Sequence, residues 1–190
     1  YYSPVGDLTD VELTYFEDDL IQIENSDNIT ISGFEIKYGD GNGIYVSKSN
    51  DVSLDRLHIH SIGKNGVYIS DSYRAVVRNS EINDVVESGV YVNSGILVTL
   101  TPGECGAENC HIYDFSDENT YRPAVNLFGV GNFAKKNTIH DSMSIAIMFE
   151  GNDLLIENNE VYNAARDVFD TGVIGGASLN ERRGNVVKNN

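Results

Sequence analysis

The chain has 190 residues, 41% of them hydrophobic, with no Trp and only three Pro, and it carries 29 acidic against 13 basic residues for a formal net charge of -16. That length and hydrophobicity support a folded core and exclude a disordered chain. The acidity, without any long run of Lys or Arg, excludes nucleic acid and an anionic membrane surface as partners, and no apolar stretch of about 18 residues reads as a membrane span.

In chain order, "YYSPVGD" begins abruptly and "GNVVKNN" stops in mid-pattern, so residues 1–190 read as one domain cut from a longer protein, which leaves the missing signal peptide uninformative. After the lead-in, "NITISGFEI" alternates apolar and polar residues as a half-buried strand does. The phrase Gly-Ile-Tyr-Val then begins at Gly43 and returns as Gly-Val-Tyr-Ile at Gly66 and Gly-Val-Tyr-Val at Gly89, every 23 residues. A second column, Ile36, Ile59 and Ile82, keeps the same spacing. The two columns continue as Ile112 with Ala124, Ile139 with Ala146, and Val161 with Gly172, which makes six rungs. Short strands at a 23-residue period, with no helical periodicity, predict an all-β, single-stranded right-handed parallel β-helix of about six to seven coils. Coils spaced by about 4.8 Å would give a rod on the order of 30 Å long.

Stacked coils turn columns into ladders. Two residues before each Ile stand Phe34, Leu57, Ser80, Cys110, Asn137 and Asn159, which should point inward, the two Asn as an amide ladder bonded to turn backbone. Two residues after it stand Asp84, Asp114, Asp141 and Asn163, expected to accept backbone N–H groups in turns. Tyr45, Tyr68 and Tyr91 should stack outward, the column continuing as Asn126, Met148 and Ile174. Such rings either shield the sheet or offer flat faces to sugar rings. Cys105 and Cys110 are close enough in sequence for a local disulfide, but a strand between them would hold them apart, and free thiols fit at least as well.

Insertions locate the binding face, since a solenoid lengthens turns without disturbing its core. The excess residues fall in "SGILVTLTPGEC", "DFSDENTYRPA" and "NAARDVFDTG", the last two leaving the same corner on either side of "HDSMSI". They are expected to flank a cleft. Tyr121, Arg122, Asp141, Arg166, Tyr91 and Met148 are the candidate substrate contacts, and Asp170, Glu150, Asp153, Asp167 and His140 the candidate catalytic groups. Paired carboxylates suit glycoside hydrolysis, where one protonates the leaving oxygen and the other acts as base or nucleophile. Glu150 with Asp170, on neighbouring coils, is the favoured pair. No spacing reads as a zinc site, phosphate loop or serine nucleophile elbow, so the pattern assigns no metal and requires no cofactor; calcium is the one ion the acidity admits, as a bridge to a polyanionic substrate.

The stretches "TLTPGECGAENCHIYDF", "TYRPAVNLFGVGN", "NTIHDSMSIAIMFEGNDLLIENNEV", "DTGVIGG" and "RGNVVKNN" resemble a group of bacterial, often secreted, right-handed β-helix proteins of the pectin-lyase-like fold, and in particular glycoside hydrolase family 141. The resemblance implies α-L-fucosidase or xylanase-like activity, and it matches Asp170 to the Asp of the group's acidic-small-Gly phrase and Asp153 to that of "GND". At Glu150 the group carries a small residue instead. The leading expectation is an extracellular or periplasmic, monomeric glycoside hydrolase acting on plant-type polysaccharide or oligosaccharide. The alternatives are a calcium-dependent polysaccharide lyase or epimerase, with Arg122, Arg166 or Lys64 as proton abstractor, and a non-catalytic glycan-binding or adhesion module using the tyrosines.

Overall fold

The computed structural model describes residues 16–116, 121–168, 171–176 and 182–190. Their strands fall into three parallel sheets that one winding visits in turn. Sheet 1 stacks Ile21–Glu24, Ile44–Ser47, Val67–Ser70, Val90–Ser94, Val125–Val130, Ile147–Asn152 and Ile174–Gly176. Sheet 2 stacks Thr30–Ser32, Ser53–Asp55, Val76–Arg78, Gly106–Glu108, Phe133–Lys135, Leu155–Glu157 and Val186–Lys188. Sheet 3 stacks Glu35–Gly39, His58–Ile62, Glu81–Val85, His111–Phe115, Thr138–His140 and Glu160–Tyr162. The result is the expected all-β parallel solenoid of about seven coils, with no helix among the described residues.

Register follows the repeat. Ile44, Val67, Val90, Val125 and Ile147 pair along sheet 1, and Ile36, Ile59, Ile82, Ile112, Ile139 and Val161 along sheet 3. Nearly all of these are buried, because each strand's inward residues close against those of the other two sheets to make one continuous apolar column. The last rung differs from the sequence reading by one residue. Ile147 pairs with Ile174 and Met148 with Gly175, so Val173, not Gly172, continues the Ala146 position, and Ile174 joins the inward column. An insertion hides such a shift, since Gly172 merely resembles the glycine of the earlier phrase.

Each coil turns by single left-handed residues. Between sheets 2 and 3 the same position is Gly33, Arg56, Asn79, Asn109, Lys136, Asn158 and Asn189, all with φ between 48° and 74°. Asp84 and Asp114, near the ends of their sheet 3 strands, and Asp141 and Asn163, just after theirs, are left-handed too. The Asp84 carboxylate accepts from Ser61 Oγ at 2.8 Å and that of Asp141 from Asn163, so at these two the turn chemistry lies in φ and not in the carboxylate acting as acceptor for the turn backbone.

The inward column before sheet 3 holds as predicted from Leu57 to Asn159, but Phe34 is 59% exposed, because no described coil stacks beneath it. Asn137 Oδ1 accepts from Cys110 N at 2.9 Å, and Asn137 Nδ2 donates to Ala107 O and to Asn159 Oδ1. Asn159 repeats the pattern with Ala134 O and Asn190. Cys105 and Cys110 are free, buried thiols facing inward at the two ends of Gly106–Glu108. Burial pushes both thiols up, that of Cys110 to about 11.

All the insertions leave the upper coils. Residues 95–104 protrude between sheets 1 and 2 and close by paired bonds between Ile96 and Thr101. Residues 116–123 and 164–172 both connect sheet 3 to sheet 1, as their spacing predicted.

Candidate functional site

The recurring Gly-x-Tyr phrase has two separate causes. A Cβ at Gly43 would lie 2.6 Å from Gly66 O, and one at Gly66 would lie 2.7 Å from Gly89 O, so the glycine is required where successive coils touch. The tyrosine faces outward. Tyr45 and Tyr68 rings stand 5.5 Å apart and Tyr68 and Tyr91 4.7 Å apart in an edge-to-face contact. They are half-buried, not fully exposed, because the rings lie over the serines beside them, Tyr45 Oη touching Ser70 Oγ at 3.3 Å. Burial, then the neighbouring phenol, pushes the Tyr68 and Tyr91 hydroxyls up.

Asn126 follows Tyr91 in register, but the aromatic surface does not stop there. Phe128, two residues on, packs on Tyr91 at 5.5 Å, and it stands directly beside Glu150. The row therefore spans four coils and ends at a carboxylate. Glu150 is paired with Arg182 at 3.1 Å, both side chains mostly covered. Arg182 Nε and Asn126 Oδ1 are buried and have no hydrogen-bond partner. Arg122, just before the sheet 1 strand Val125–Val130, pairs with Glu87 at 4.0 Å. Arg122, Glu150 and Glu87 all act electrostatically on the Tyr91 phenol. Of the residues expected at one cleft, Tyr91, Arg122, Met148 and Glu150 thus share the outer side of sheet 1, and Tyr121 sits exposed next to Arg122.

The others lie elsewhere. Asp153 occupies a left-handed turn leaving sheet 1, its N–H donating to Arg183 O at 2.9 Å and its carboxylate crowded against Gly184. Arg166 and Asp167 are bound to the preceding coil through Ser142 O and Met143 O. His140 and Asp141 belong to sheet 3. Asp170 falls outside the described residues. Spacing had located the corner that the insertions leave, but a corner serves two sheets, and alternation along each strand decides which one a side chain faces.

Sheet 3 carries Glu35, His58 and His111, which spacing missed, beside His140 and Asp141, which it had singled out. All four histidines of the chain lie on it, one residue before or after the buried Ile column, and that flanking position was the available signal. His140 stacks between Tyr113 and Tyr162, with interplanar angles of 4° and 10°. Its Nδ1 bonds Asp141 at 2.8 Å and its Nε2 meets His111 Nε2 at 2.7 Å. The His140 bond, then Asn163, holds the Asp141 carboxyl below the usual range. Tyr113 donates to Glu81 at 2.7 Å, and that bond, then burial, pushes its phenol up to about 12. Toward the first coil, Glu35, His58 and His60 each bring one donor atom within 4.8 Å of the others.

Residues 3–114 match the model of the right-handed β-helix region, well over half of the chain. The chain belongs to the right-handed β-helix family. Comparison with curated proteins and with solved structures gave no match. Membership fixes the hand of the winding and is consistent with carbohydrate-active or carbohydrate-binding proteins in general; the family includes carbohydrate-active enzymes.

Proposed function

We propose that this β-helix is carbohydrate-active, seating a plant-type polysaccharide or oligosaccharide along the Tyr45, Tyr68, Tyr91 and Phe128 row and hydrolysing it at the end of that row as a glycoside hydrolase. The observation that carries the reading is the end of the row itself: apolar ring faces run into a carboxylate, flanked by a buried acceptor, Asn126 Oδ1, and a buried donor, Arg182 Nε, that lack partners. Buried polar atoms need partners, and sugar hydroxyls supply both donors and acceptors beside apolar ring faces. The resemblance to glycoside hydrolase family 141 points the same way, and the proposal includes a secreted, monomeric protein.

In this mechanism a guanidinium-paired Glu150 suits the carboxylate role and not the proton donor. Its oxygen attacks the anomeric carbon as the glycosidic C–O bond breaks, Asp170 is the proposed acid that protonates the leaving oxygen, and water then releases the sugar from Glu150. Calcium is not needed for these steps. The second reading, a non-catalytic glycan-binding module, is favoured by the same Glu150–Arg182 pair, which would serve there as a fixed hydrogen-bonding anchor.

The test is a panel of xylan, fucosylated oligosaccharides and polygalacturonate, following binding, new reducing ends and ultraviolet absorbance of unsaturated sugar. Hydrolysis predicts reducing ends without absorbance, lost in Glu150→Gln and Asp170→Asn with folding unchanged. Tyr68→Ala is expected to weaken binding about tenfold. Binding without reducing ends would establish the module; absorbance with calcium dependence would establish a lyase; no binding to any of them would overturn the carbohydrate reading.

A further inference from the structure

We propose that Glu35, His58 and His60, on the outer face of sheet 3, form a binding site for a divalent transition ion of the zinc class. Glu35 and His58 are register partners on adjacent coils, and His60 follows His58 two residues on, so all three side chains leave the same face. One donor atom from each lies within 4.8 Å of the others. A tetrahedral ion with bonds near 2.0–2.1 Å wants donors about 3.4 Å apart, so a small closure of the three side chains completes the set.

The surrounding bonds fix which nitrogens are available. Ser61 Oγ donates its one hydrogen to Asp84 Oδ2 at 2.8 Å. It can therefore only accept from His60 Nδ1, 3.1 Å away, which places the ring hydrogen on Nδ1 and leaves Nε2 of a neutral His60 with its lone pair. That lone pair faces Glu35 Oε1 at 3.2 Å. Two acceptors pointed at each other need a proton or a metal cation between them, and an ion of the zinc class can take that place. His58 Nε2 meets the Asn83 carbonyl oxygen at 3.2 Å and must donate to it, so the free lone pair of His58 is on Nδ1. Lys37 Nζ holds the other carboxylate oxygen, Glu35 Oε2, at 3.4 Å and orients Oε1 toward the histidines. Each of the three donors thus has an outer partner that sets its orientation, the arrangement that tunes metal affinity. Two imidazoles and one carboxylate suit zinc and its neighbours more than calcium, and three protein ligands leave a position open to solvent.

Equilibrium dialysis of the 190-residue chain against ZnCl2 at neutral pH is expected to retain one ion per chain, and CoCl2 in its place to give visible d–d absorption. His58→Ala and His60→Gln should each weaken retention by more than tenfold. Asn83→Ala, which removes only an orienting partner, should weaken it by about 10–100-fold. The His111→Ala/His140→Ala double variant should leave it unchanged. Zinc should raise the melting midpoint of the wild type and of that double variant but not that of His60→Gln, and if His60→Gln does not fold, Asn83→Ala provides the comparison. No retained zinc, retention indifferent to His58, His60 and Asn83, or retention lost only with His111 and His140 would overturn the site.

Discussion

The lower coils, residues 16–94, and the upper coils, residues 124–190, solve the same problem at different corners. In the lower half the amide ladder stands between sheets 3 and 1, where Asn42 bonds Asp19 and Asn65 bonds Asn42, while hydroxyls of Ser49, Ser72, Ser94 and Ser80 take the N–H groups of the other two corners. In the upper half the corner between sheets 3 and 1 is given to insertions. The amides move to the remaining two: Asn132 and Asn185 after sheet 1, and Asn137, Asn159 and Asn190 before sheet 3. The two cysteines occupy those same two positions in the coil between the halves, Cys105 Sγ accepting from Ala75 N and Cys110 Sγ donating to Val77 O. The lesson is that a coil can open one corner for loops when its other corners are fixed by amides. A hydroxyl has one hydrogen to give; an amide accepts from a backbone N–H and still donates twice.

The comparison breaks most sharply at Asn159. Asn159→Leu keeps the bulk but strands the Asn137 N–H and the Ala134 carbonyl, at about 1–3 kcal/mol for each buried group, while the Asn190 oxygen keeps the backbone N–H of residue 159. Urea unfolding should therefore show a larger loss than Asn65→Leu, whose amide also reaches the partly exposed Glu87. An equal loss in the two would mean that the halves do not differ in what holds them. Next comes Ile69→Ala in the lower half, where a fully buried side chain packs in a hydrocarbon column; about 2–5 kcal/mol should be lost, and less than about 1 kcal/mol would mean that the column closes over the gap.

The histidine face shows why the sequence disclosed the core and not the whole site. Ile59 and Ile112 announce themselves because every coil must fill the same interior, and the repeat is therefore visible as a period. Outward residues obey no such demand. His58, Asn83 and Glu35 come from three successive coils, and only the register, not spacing along the chain, makes them neighbours. On sheet 1 the Tyr row was legible because it repeats, Phe128 was not because it enters two residues out of column, and Arg182 was not because residues 177–184 follow no repeat at all. The insertions were found by counting, which gives a corner but not a facing.

The smallest effect belongs to the seam between the halves. Tyr113 donates across it to Glu81, which raises the phenol from its ordinary 10.0 to about 12. A raised folded value means that this contribution to stability is fully present below pH 10 and is lost as pH climbs toward 12. Absorbance titration of the folded protein should show one tyrosine ionising near the top of that range, and Glu81→Gln should bring it down; a titration unchanged by Glu81→Gln would remove the bond from the seam.

Cys105 and Cys110 carry a consequence for where the protein can work. They point inward from the corners on either side of a three-residue strand, Cys105 Sγ toward Ser72 O and Cys110 Sγ toward Val77 O, and both are free thiols. Burial also keeps them as thiols and not thiolates, the form that oxidants and disulfides attack slowly. The covalent connectivity of the coil stack is thus the same in reducing and in oxidising surroundings, and reductant or oxidant should leave its melting curve unmoved.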